Sequence, residues 1–204
     1  MKNLYIFLLV FITFFIGLPF PTPTAETPII YWDGAGDTPP MSAYEQDGRY
    51  LRFTEFPILV YMPFDSKWES ALENALQQVS AMVPIRRISD STQADILISL
   101  VSPEDFLAAT PCLEHQTEGC AVIRPVGHPG HPGFTVIGHL WLNTATALPP
   151  HHVLLHELIH ALGLLVHSPY PSDVMYNGND AFPTTLSLQD RATLHQLYTA
   201  PAWH

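Results

Sequence analysis

The pentapeptide His156-Glu157-Leu158-Ile159-His160 puts two imidazoles and a carboxylate within one short stretch of chain. On a helix, residues four apart project from one face a turn apart, so His156 and His160 can hold one metal ion between them. Neutral imidazole is a common zinc ligand, with each nitrogen about 2.0–2.1 Å from the ion. Glu157 stands beside the first ligand, where it can take a proton from an activated water and pass it to a leaving amine. Leu158 and Ile159 keep the intervening face dry, which strengthens the charge interactions a transition state needs. The chemistry this set suits is metal-assisted hydrolysis.

A catalytic zinc site needs a third protein ligand. Gly163 follows the pentapeptide, then Leu164-Leu165-Val166 and His167. A third ligand must leave the helix and come back to the metal, and Gly163 permits the positive φ that such a reversal commonly requires. His167 is the nearest imidazole. No Glu follows Glu157, so a downstream Glu ligand is excluded; Asp173, Asp180 and Asp190 remain as carboxylate alternatives. A helix with two surface histidines is the bland reading, and the added Gly163 and His167 weigh against it. His151 and His152 read as solvated residues at a helix start. His128 and His131, in a Gly/Pro-rich loop with no Asp beside them, carry only a weak signal for a second metal or for lining a cleft.

The elements that must position these groups can be read from periodicity. Pro57–Met62 reads as a buried strand. Asp65-Ser66 opens a helix with Ser66 and Glu69 in capping-box spacing, and Trp68, Leu72, Ala75, Leu76, Val79 and Met82 at helical intervals. Ala94–Val101 reads as a second strand, parallel to the first across the helix. Ser102-Pro103-Glu104 starts a short helix, and Ala121–Val126 reads as an edge strand. Phe134–Asn143 alternates, with Phe134, Val136, Leu140 and Leu142 on one face. A helix over about 151–162 carries the motif, and a last helix over about 188–198 has Ser187 as its cap and Leu194, Leu197 and Tyr198 as its buried side. Residues 26–56 read as an irregular N-terminal arm, and residues 57–204 as one catalytic domain.

Composition bounds the function. The 204 residues are 47% hydrophobic and 13% charged, which excludes disorder as the main state and suits a single domain. Lys+Arg number 8 against 19 Asp+Glu, a net charge of -11 that argues against nucleic acid and anionic membranes as partners. Lys2 followed by an apolar run from Leu4 to Leu18 reads as a signal peptide over residues 1–25; the run is slightly short for a membrane anchor. The expectation is a secreted or periplasmic protein, anchored to a membrane only if that segment is retained. Cys112 and Cys120 would both reach an oxidising compartment and can close a small loop disulfide.

His156-Glu157-Leu-Ile-His160-Ala-Leu-Gly163-Leu-Leu-Val-His167-Ser168 resembles the zinc-binding consensus of the metzincin metallopeptidases, and most closely their matrixin branch. Asp173-Val174-Met175-Tyr176 is similar to their Met-turn, whose Met underlies the zinc without binding it, and residues 186–198 resemble the matrixin closing helix. The specific match covers residues 150–200. One residue departs from the pattern: three residues separate Gly163 from His167 where the family places two, so Val166 stands in the usual ligand slot. The retained His167-to-Met175 spacing favours an inserted residue with His167 as ligand; otherwise the third ligand is lost. The matrixin cysteine-containing latency motif is absent from residues 26–56.

The resemblance implies an α+β, zincin-like fold: a twisted mixed sheet with a backing helix, an active-site helix and a C-terminal helix. It implies a monomeric endopeptidase with one Zn²⁺ on His156, His160 and His167, Glu157 as base then acid, and an extended protein or peptide substrate. Calcium is compatible with the resemblance, but no residue marks a site for it. Two other readings stand beside this one: a catalytically inactive pseudo-peptidase that only binds a partner, and a zinc hydrolase of small peptides or amides.

Overall fold

The computed structural model describes residues 45–46, 49–111, 118–127, 134–176 and 178–202. The signal-peptide reading of residues 1–25, most of the arm, Cys112, His128 and His131 fall outside the described residues. No helix among those described is long and apolar enough to cross a membrane.

The fold is α+β. Strands β1 (Glu45–Gln46) and β2 (Arg49–Tyr50) form a small antiparallel pair. The main sheet contains β3 (Ile58–Tyr61), β4 (Ile85–Arg87), β5 (Ile96–Val101), β6 (Gly119–Gly127) and β7 (Phe134–Asn143). Its order is β4-β3-β5-β7-β6; all neighbours are parallel except β6 and β7, so the sheet is mixed. The helices are α1 (Glu69–Ser80), α2 (Pro103–Ala109), α3 (Pro150–Ala161) and α4 (Leu188–Thr199).

The apolar pattern explains the packing. In α1, Ala71, Leu72, Ala75, Leu76 and Val79 form one buried stripe, and α1 packs on α3. In β7, Leu140 and Leu142 are fully buried while Thr135 is exposed, the alternation expected of a half-buried strand. The end of the arm also joins the core: Leu51 and Phe53 are buried, and the Arg52 guanidinium donates to Ala200 O at 2.7 Å.

One local expectation fails and one strand goes unread, each for a physical reason. The Ser66/Glu69 capping box does not form; α1 starts after Trp68, which makes no side-chain cap bond. The Glu69 carboxylate is drawn instead to Arg87 of β4, and Asp65 O accepts from the Trp68 and Glu69 N–H groups. The parallel relation of β3 and β5 is present, but β4 lies between them in sequence. Its three residues, Ile-Arg-Arg, are too short and too basic to declare a strand by pattern.

Candidate metal centre

Helix α3 begins with Pro149 as its cap residue and Pro150 in its first turn, where a missing N–H costs nothing. Leu162 caps its C-terminal end, and the chain reverses at Gly163, whose φ is +109°. The Gly163 N–H donates to His160 O and the Leu164 N–H to Ile159 O, closing the helix. A side chain at Gly163 would also meet Leu51 O at 2.6 Å, so both conformation and space require glycine. The reversal brings residues 164–167 back along the helix.

The three histidines of the motif meet there. The Nε2 atoms of His156 and His160 are 3.1 Å apart, and each lies 3.2–3.3 Å from His167 Nε2. His167 therefore joins the other two despite the extra residue, and Val166 is buried in the core. The second nitrogens fix the tautomers. His156 Nδ1 lies 2.7 Å from Val174 O, and His160 Nδ1 lies 2.7 Å from Leu164 O. A carbonyl can only accept, so both Nδ1 atoms carry the proton and both Nε2 atoms present lone pairs inward. Converging lone pairs repel one another, and a cation among them relieves that repulsion. The cluster could hold a metal ion.

Electrostatics agree. Burial first, then the neighbouring imidazoles, hold the His156 pKa well below the ordinary value and that of His160 down to about 3; burial lowers His167 too. The three rings are thus kept neutral, the form that binds metal. Burial pushes the Glu157 carboxyl up to about 8.

The turn over 173–176 supports the site. Met175 is buried, and the Ser168 N–H donates to Met175 O at 2.8 Å. None of the three aspartates considered as ligands enters the cluster. Asp173 accepts from the Ser168 hydroxyl at 2.5 Å, and Asp180 accepts from the Tyr176 hydroxyl at 2.8 Å. Asp190 is a clamp between α4 and the turn: Oδ2 accepts from the Val174 N–H at 2.8 Å and from the Ser187 N–H at 3.0 Å. Ser187 Oγ accepts from the Asp190 N–H in return, so one residue caps α4 and steadies the carbonyl that orients His156.

The cluster opens into a cleft of about 230 Å³, lined also by Glu118, Gly119, Leu148, Tyr176 and Phe182. His152, read as a solvated residue, is instead 6% exposed and lines this cleft. Its Nδ1 lies 2.8 Å from Pro183 O, and its ring meets Phe182 edge-on. The signal was present, since residue 152 is one turn before 156 and two before 160 on the same stripe. Gly119 and Glu118 carried no signal in the sequence, because they reach the cleft only through the place where β6 begins. Cys120 is disulfide-bonded, and Cys112, its expected partner, lies outside the described residues.

No protein-family model matches the chain, and no curated protein matches it.

Proposed function

We propose that this chain is a secreted zinc metalloendopeptidase with a zincin-like fold of the matrixin type. The observation that carries the reading is the convergence of three imidazole Nε2 atoms, 3.1–3.3 Å apart, beside the buried carboxyl of Glu157. Tetrahedral ligands at 2.0–2.1 Å from zinc stand about 3.3 Å from one another, so the separations fit that ion. The all-nitrogen donor set fits zinc and not calcium, which takes oxygen ligands.

His156, His160 and His167 would hold the zinc. When bound, the ion supplies Lewis acidity toward water and toward the scissile carbonyl. The chain's own residues do the rest. Glu157 lines the cleft beside the three imidazoles with no charged partner among the described residues, so its carboxyl is free to take a proton and release it again. It takes one from the attacking water and delivers it to the leaving amide nitrogen. Val174 O and Leu164 O hold the imidazoles in the tautomer that points Nε2 inward. Strand β6 is at the sheet edge, with no strand on its far side among the described residues. An extended substrate can add to it through main-chain hydrogen bonds, and the cleft begins where β6 begins, at Gly119.

The test is digestion of unfolded casein by the purified protein, with products read by mass spectrometry. Cuts at internal bonds, stopped by a chelator and restored by zinc, are expected. Release of terminal residues alone would replace the reading with a hydrolase of small substrates. A zinc-loaded protein that cuts nothing would replace it with a pseudo-peptidase.

A further inference from the structure

Gly119, the first residue of β6, lies directly against the Glu157 side chain. A Cβ on Gly119 would stand 2.6 Å from Glu157 Cγ, 2.7 Å from its Oε1 and 2.9 Å from its Cδ. Carbon atoms in good contact are about 3.5–4.0 Å apart, so no side chain of any size fits while Glu157 stays where it is. Backbone conformation is not the reason for glycine here. Gly119 pairs in regular antiparallel register with Leu142, and the positive-φ glycine among the described residues is Gly163. A glycine inside a strand commonly marks the close approach of another group, and here that group is a carboxyl.

Both partners are held. Gly119 is fixed by its pairing with β7, by the disulfide at Cys120, and by the Asn143 N–H donating to Glu118 O at 3.1 Å. Glu157 is fixed through α3. Among the described residues no hydrogen bond or ion pair orients the Glu157 carboxyl. Its place is therefore set by shape.

We propose that Gly119 is a positioning residue for Glu157: its bare Cα is the shelf that sets where the carboxyl stands relative to the three imidazoles. The proposal deepens the peptidase reading and rests on it for its catalytic consequence.

The experiment is Gly119→Ala in the wild-type and Glu157→Ala backgrounds, with metal content, kcat, KM and thermal midpoint measured. In the wild-type background the alanine should leave metal content and KM unchanged and lower kcat about 10²-fold, the cost of a misplaced catalytic group. It should also lower the thermal midpoint there. In the Glu157→Ala background, where Cγ, Cδ and Oε1 are gone, the same change should leave the midpoint unaltered. If Gly119→Ala alone fails to fold, recovery of folding in the double variant carries the same information. A wild-type kcat, or an equal fall in midpoint in both backgrounds, would overturn the proposal. If the wild-type protein cuts nothing, the peptidase reading fails by itself, and the midpoints still decide whether Gly119 seats Glu157.

Discussion

Helices α1 and α3 are each 12 residues long and pack against each other, yet they are built on opposite terms. Helix α1 buries five residues, all apolar, and turns its polar side to solvent. Helix α3 buries nine, and three of those are His152, Glu157 and His160. Every buried group of α1 favours the fold. In α3 burial disfavours the ionised carboxyl and the protonated imidazoles, so folding there is penalised wherever those groups would otherwise carry charge. The difference teaches where stability ends and chemistry begins: α1 supplies a rigid backing that lets α3 carry costly groups at fixed positions.

The largest effect is expected at the imidazole cluster that α3 shares with the returning chain. His167→Ala should lower metal affinity by more than about 10²-fold, since even residues outside the ligand shell cost 10–100-fold, and should abolish turnover. Competition with a chelating dye reads the affinity. An unchanged value would remove His167 from the site.

On α1, Leu72→Ala should cost about 2–5 kcal/mol in urea unfolding, as for a fully buried leucine, with metal affinity of the folded protein intact. A matching fall in metal affinity would erase the distinction between the two helices.

Glu157→Gln tests the sign of the buried charge. The folded pKa of about 8 lies above the ordinary 4.5, so Glu157's contribution is fully present below 4.5 and is lost as pH rises toward 8. The glutamine variant of the metal-free protein should therefore gain stability over wild type as pH rises, on the order of 3 kcal/mol by neutral pH. A difference that stays flat between pH 5 and 8 would show that Glu157 is not strained by burial. The buried imidazoles run the other way: their lowered pKa values give stability present above 6.5 and lost as pH falls.

The smallest effect is at the cap. Ser187→Ala should cost about 1 kcal/mol, read by thermal unfolding, because the Asp190 N–H loses its acceptor.

The contrast also explains what the sequence disclosed. Strongly periodic segments were legible: the stripe of α1, the alternation of β7, the Ser187 start of α4, and the three histidines with the glycine that returns the chain. What was not legible depends on partners distant in sequence. Strand β4 exists because Ile85–Arg87 pairs with β3, not because three residues declare a strand. The capping box at Ser66 gave way to the Glu69–Arg87 ion pair across two elements. His152 looked like a surface residue at a helix start until Pro183 and Phe182 covered it. Asp190 looked like a spare carboxylate, and it holds the turn behind His156.

In the proposed reaction three imidazoles hold the ion while Glu157 moves the proton. Metal content and casein cleavage of Glu157→Ala, measured beside wild type, test it most directly. One zinc per chain is expected in both proteins, with turnover about 10²–10⁴-fold lower in the variant. A variant that cuts at the wild-type rate, or that has lost its zinc, would contradict it.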